Sequence, residues 1–444
     1  MKRRLLLILP LLLASVIVRS QNDTIANKLS IGLNLMTHGE ACGGGLPRTD
    51  NSSDDYKESN SYFLLGRFRL NVDYEHKGLQ AHAVIQNKSV WGTLNNQSLN
   101  LYEGWVKMTS RLGFFAQLGR VALAYDDERI IGTNDFAMAA LSHDVLRLGY
   151  EGHGHKLHAI LAYNQNAAMV YKSTYYNGGA QDYKTMQTLW YHYDIPKVPI
   201  GVSLLFMNVG LQAGILGDTI RYPHIVYQQM FGGYLKYNSK FLTIEGAYYR
   251  QKGELVNKYM QELKIDAWMA NGKATIKPTD RFGLELGYDY LSGDSYVPVI
   301  YGGTFGTPLH QISRGFNPLF GSHNQFYGML DYFYESAYIN GFTPGLQNAF
   351  VGINGTPISK LSCSATYHYL AVATDLEGLE RSLGQSVDLQ LSYDFTKDIS
   401  LTVGYTQMVG TETMMRLKQG NSGKKANWGW FSLMVSPSLF TARW

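Results

Sequence analysis

From Leu29 to Phe440 the chain runs in segments of about ten to fourteen residues in which apolar and polar side chains take turns. Leu29, Ile31, Leu33 and Leu35 share one face of the first. In the second, Leu64, Gly66, Phe68, Leu70, Val72 and Tyr74 face one way, and Arg67, Arg69, Asn71, Asp73 and Glu75 face the other. A face so charged cannot be a dry core; it is a wet interior or an outer surface. Leu112 to Gly132 carries the same pattern into a different one. Phe114, Ala116 and Leu118 alternate with Phe115, Gln117 and Gly119, after which Arg120, Asp126, Asp127, Glu128 and Arg129 crowd together. Lipid would reject those charges, so they turn toward water or toward each other.

Short turns rich in Gly, Pro, Asn and Asp join these segments in pairs, among them His76-Lys77-Gly78, Ser110-Arg111, Pro196-Lys197 and Thr396-Lys397-Asp398. Long connections alternate with them. This predicts an all-β, transmembrane antiparallel barrel of about eighteen strands, with short periplasmic turns and long extracellular loops. The strand-like piece His323 to Glu335 would make the count odd. Parity therefore assigns it to the long loop 292–345, which either extends above the membrane or folds back, in the latter case as a loop that narrows the pore.

Composition removes other classes. A chain of 444 residues with 45% hydrophobic and 17% charged residues and a mean hydropathy of −0.18 is too polar for a helical membrane bundle. The apolar run Leu5 to Val18, behind Lys2, Arg3 and Arg4, predicts a signal peptide over 1–20, cleaved before Gln21. The mature chain, 21–444, reads as one barrel domain of a Gram-negative-type outer membrane. The 32 Tyr suit two water–lipid interfaces. Two cysteines make no disulfide framework, and a net charge of +4 gives no case for nucleic acid.

The segments RFRLNVDYE (67–75), LGRVALAYDDERIIG (118–132), SHDVLRLGYE (142–151), LGYDYLSGD (286–294) and FNPLFGSHNQFYGMLDYFY (316–334) resemble the alginate-export family of outer-membrane proteins. So do YTQMVGTETM (405–414) and NWGWFSLMVSPSLF (427–440). The resemblance implies passage of an anionic exopolysaccharide through a charged constriction containing arginine, with periplasmic export components as partners. It maps the family's Gly-Arg strand end onto Gly119-Arg120, its acid–basic loop onto Asp126, Asp127 and Arg129, and its basic second strand onto Arg67 and Arg69.

The residues read as inward are Asp73, Glu103, Glu245, Asp266, Glu285, Asp289 and Asp388, beside Arg67, Arg69, Lys107, Arg120, Arg147 and Lys264. Arg67, Arg69, Arg120 and Arg129 are the expected contacts for a carboxylate, because guanidinium matches its fork. Asp73, Glu103, Asp126 and Asp127 are their expected positioning partners. The competing reading makes these ion pairs stiffeners of the wall. Neither Asp126-Asp127-Glu128 nor Asp50, Asp54 and Asp55 has calcium-loop spacing; His143, His153, His155 and His158 cluster around one hairpin with His153 and His155 in its turn, which chance and solvent exposure explain better than a metal ligand set. Ser142-His143-Asp144 supplies residue types for a barrel-embedded lipid enzyme, but neighbours on a strand point to opposite faces. Tyr102, Trp105, Trp190 and Tyr191 are either sugar-stacking or girdle residues. The expectation is a channel, not an enzyme, with no cofactor, passing a polar or anionic saccharide; a general diffusion porin for small solutes is the alternative.

Overall fold

The computed structural model describes residues 27–44, 60–93, 98–165, 183–216, 219–256, 262–294, 300–301, 304–305, 312–322, 325–333, 343–418 and 425–444. The signal segment, Asp50, Asp54 and Asp55, and part of 316–334 lie outside these residues.

Eighteen antiparallel strands close into a barrel. The first nine are β1 (Lys28–Gly44), β2 (Ser61–His76), β3 (Leu79–Val90), β4 (Ser98–Thr109), β5 (Phe114–Val121), β6 (His143–Gly152), β7 (His155–Tyr163), β8 (Thr185–Asp194) and β9 (Ile200–Leu216). Then follow β10 (Thr219–Asn238), β11 (Leu242–Val256), β12 (Glu262–Thr279), β13 (Phe282–Leu291), β14 (Leu346–Ile358), β15 (Leu361–Ala371), β16 (Ser382–Thr396), β17 (Ile399–Gly410) and β18. β18 is Lys425–Val435 resumed as Ser438–Arg443. Pro437, which has no N–H to give, sits in the break, and its carbonyl accepts from Leu33 N at 3.1 Å. β18 pairs with β1 along both of its parts, so no edge is left open.

An even count brings both ends of the barrel wall to one rim, where Asn27 N donates to Trp444 O at 2.8 Å. The short turns share that rim, the periplasmic one. Outward positions form the lipid belt; Leu118 is 65% exposed and Leu99 75%. Inward positions are polar on part of the wall and apolar on the rest. Met186, Met207, Met230 and Met269 are fully buried inside the barrel among Tyr183, Phe316, Phe320 and Leu123.

That inner core exists because two loops fold into the lumen. The connection from β5 to β6 enters first. At Gly119 (φ 131°) the backbone takes a conformation open to glycine, and a Cβ there would collide with Gly104 O. The second is the connection from β13 to β14, which brings Phe320 beside Ile131 as a parallel bridge. Gly132 N donates to Phe320 O at 2.8 Å and Phe320 N to Ile130 O at 3.1 Å. Within the described part of 323–335 there is no barrel strand. It lies in the inward loop, where parity assigns it. A short helix, α1 (Glu412–Lys418), caps the barrel between β17 and β18.

Candidate functional site

The constriction is built by anchoring both loops to the charged wall. On β2, the 1% exposed Arg67 donates to Asp135 O at 2.8 Å and to its Oδ2 at 3.2 Å. Two residues along the same face, Arg69 donates to Asp135 Oδ1 at 2.6 Å and to Gln86 Oε1 at 2.7 Å, with Tyr102 under its guanidinium at 3.9 Å. Gln86 is the register partner of Arg69 on β3, so the strand pairing itself sets this bond. One carboxylate from the loop thus neutralises two buried guanidinium groups.

Arg129 ties the loops together. Its Nε donates to Asp127 Oδ2 at 3.2 Å, one Nη to Tyr327 OH at 2.9 Å, and it pairs with Asp289 on β13 at 3.1 Å. Phe326 lies against the guanidinium at 4.2 Å. Burial opposes its charge, but Tyr327, Asp289 and Asp127 outweigh that and raise its pKa further above the ordinary value. Glu128, at φ 62°, accepts from Thr133 N at 2.9 Å and from Ser322 Oγ at 2.7 Å. Asp126 accepts from Ser203 Oγ at 2.5 Å and from Trp190 Nε1 at 3.2 Å. Burial nevertheless pushes its carboxyl above the usual range.

Beneath the tip of the second loop lies a cavity of about 250 Å³, with Glu245, Lys273, Glu285, Asp289, His368 and Asp388 among its walls. A chain of polar contacts crosses four of its strands. Asn348 Nδ2 donates to Asp289 Oδ2 at 2.9 Å, its Oδ1 meets His368 Nδ1 at 3.0 Å, and His368 Nε2 is 3.4 Å from Asp388 Oδ2. Met329 N donates to that same Asp388 oxygen at 2.9 Å, which pins the loop tip.

The structure brings together Arg67 and Arg69 through Asp135, and Asp127, Arg129 and Asp289 at the loop junction. It separates others. Asp73 and Glu103 face inward but flank His82, at 2.7 and 3.7 Å, rather than serving the arginines. Glu103 also accepts from Trp105 Nε1 and Ala122 N, each at 3.1 Å. Arg147 faces the lumen, with an Nη donating to Tyr125 OH at 3.3 Å. Glu285 faces the 250 Å³ cavity.

Three inward assignments are corrected. Arg120 lies opposite Gly104 and Asp144, one residue out of phase with inward Gly119 and Val121. It clasps Asp144 at 2.9 and 2.8 Å on the outer face, at the long-loop rim. Asp266 and Lys264 are likewise out of phase with inward Ile265 and Ala267, and Asp266 binds Arg250 and Lys252 at 2.9 and 2.8 Å. The physical reason is period two: a one-residue error inverts a face.

The same alternation splits His143 from Asp144. His143 Nδ1 meets Tyr183 OH inside at 2.9 Å, while Asp144 is outside with Arg120, so no triad forms there. His153 and His155 meet Tyr150 and Tyr191 at 3.1 and 2.8 Å, and His158 sits between Tyr125 and Glu151, both at 3.0 Å. Tyr102, Trp105 and Trp190 point inward, and Tyr191 outward. Asp135 and Tyr327, which complete both anchors, escaped the sequence reading. Asp135 lies 68 residues from Arg67 and Tyr327 198 from Arg129, beyond the reach of any local period.

No family model matches the chain, and no curated protein matches it. Solved structures do. The chain is similar to Pseudomonas aeruginosa OccK5 (OpdH), with a TM-score of 0.58 and 11% identity over 93% of this chain and 99% of that one. It is similar to OccK9 (OpdG) of the same organism, with a TM-score of 0.60 and 14% identity over 93% and 98%. OccK2 (OpdF), solved in complex with glucuronate, matches with a TM-score of 0.60 and 11% identity over 93% and 97%. At these identities the likeness is one of fold. The chain has the closed eighteen-stranded barrel of outer-membrane porins.

Proposed function

We propose that the protein is a passive outer-membrane channel for small polar solutes. The observation that carries this reading is a closed barrel narrowed, but not filled, by two mutually anchored loops with charges facing the remaining space. Fixed charges and hydroxyls there replace part of a solute's hydration, so passage needs no energy source and no reacting group. Export of an alginate-like polymer, with periplasmic export components, fits less well. A polymer would require both loops to leave the lumen together, against the Arg67, Arg69 and Arg129 anchors.

Planar-bilayer conductance of the purified protein tests the reading, with liposome swelling in sugars of increasing size beside it. Stable conductance and uptake of monosaccharides, falling off for oligosaccharides, are expected. Absence of both would overturn it, and blockade by a polyuronate without monosaccharide uptake would favour polymer export. Glucuronate, the ligand of the OccK2 structure, is the natural first anionic probe.

A further inference from the structure

We infer that the cavity under the tip of the second loop is a binding subsite for an amino sugar, a hydroxyl-bearing ring with one ammonium group. The inference deepens the channel reading above and rests on it for the route of entry.

Negative charge dominates the cavity wall. Five carboxylates line the cavity, those of Asp127, Glu245, Glu285, Asp289 and Asp388, against the cations Arg129 and Lys273. Both cations are engaged. Lys273 is 2.9 Å from Glu245, which also takes Lys236 at 2.7 Å, and Arg129 is shared by Asp127 and Asp289. Among the described residues, Glu285 has no basic partner within ion-pair distance, and Asp388 has only the His368 imidazole, at 3.4 Å from its Oδ2. The hydrogen bond of Glu285 is a long one, from Thr275 Oγ1 at 3.5 Å.

Asp388 supplies an independent sign of a ligand site. It is 5% exposed, its Oδ2 is taken by Met329 N, and its Oδ1 is buried with no partner among the described residues. A buried carboxylate oxygen left bare forfeits its hydration with nothing in return. A donor on a solute would recover that. Anions are repelled here, whereas an ammonium is attracted and hydrogen-bonded.

The remaining walls suit a sugar ring. Asn271, Ser364 and Thr366 present amide and hydroxyl groups for ring hydroxyls, and Phe350 offers an apolar surface for the C–H face. The volume of about 250 Å³ is on the scale of one ring. A bare divalent cation would want about six or more oxygen ligands, and the described residues hold no such group of acids and imidazoles.

Calorimetric titration of the detergent-purified full-length protein at neutral pH tests this, with glucosamine, glucose, glucuronate and ethanolamine as probes. Glucosamine is expected to bind about ten-fold or more tighter than the other three, and Glu285→Gln to remove most of that margin. Asp388→Asn should remove it too. Because it also touches the loop anchor, Glu285→Gln is the deciding variant, its folding checked by heat-modifiable gel mobility. Glucose or glucuronate binding as well as glucosamine would overturn the inference. So would an unchanged affinity in folded Glu285→Gln, and ethanolamine matching glucosamine would overturn the sugar. Selective binding by a protein that conducts no current would support the subsite while overturning the channel reading.

Discussion

Arg129 on the first inward loop donates to the Tyr327 hydroxyl on the second at 2.9 Å, across 198 residues of chain. This contact, with the Ile131–Phe320 bridge, makes two separate connections into one constriction. Arg129→Ala removes the tie and leaves Asp127 and Asp289 facing each other without a cation. Single-channel conductance should rise, with noisier open states, while barrel folding measured by gel mobility is preserved. Tyr327→Phe, which deletes one hydrogen bond and keeps the ring, should have a smaller effect in the same direction.

Asp135 is the shared counter-ion of Arg67 and Arg69. Asp135→Asn leaves two buried guanidinium groups uncompensated, which should weaken docking of the first loop by about 2 kcal/mol. Hydrogen exchange of amides 132–141 reads this directly. Faster exchange confined to the loop is expected, and unchanged exchange would mean the pairs contribute nothing to docking.

The pH dependence of docking follows from Asp126. Burial raises its carboxyl pKa above the usual range, so the docked loop binds a proton that a released loop gives up. In the window between the usual and the raised value, lowering pH favours docking, and this contribution is lost as pH rises through the raised value. Asp126→Asn mimics the protonated form. The gain in protection of Asp126→Asn over wild type should therefore be larger at pH 7 than at pH 4, by hydrogen exchange of amides 126–134. A gain independent of pH would contradict the assigned shift.

Arg120 and Asp144 clasp each other outside the barrel wall. Arg120→Ala should leave the reversal potential under a salt gradient unchanged. Arg147→Ala, which removes a cation facing the lumen beside Tyr125, should shift it toward cation preference. A shift of equal size in both variants would place Arg120 in the conduction path.

Much of the wall was legible because lipid on the outside enforces alternation residue by residue. The strand carrying Phe68 and Leu70 outward could only put Arg67 and Arg69 inward. Parity also assigned 323–335 to a loop, since an odd strand would reverse the side of every later turn. What the pattern concealed has physical causes too. Met186, Met207 and Met230 face the docked loops, so their strands are apolar on both faces and lose the alternation signal. Leu123, Ile130 and Ile131, apolar residues within a charged loop, were the available hint that this loop packs on something. Arg120 was misplaced because its charge argued for the lumen, whereas its phase with Phe114, Ala116 and Leu118 puts it on the outer face, where Asp144 pairs it at the rim.

The bridge between residues near 131 and residues near 320 also sets an order of events. The first loop leaves the wall after β5, yet its partner is made only after eight further strands. Contacts of such long sequence separation form late, because loop-closure entropy delays them. The β1–β18 seam, which joins Asn34 to Ser436, is of longer separation still, so by the same reasoning the two loops meet before the ring closes. A wall that closes around loops already joined is narrow from the moment it is complete.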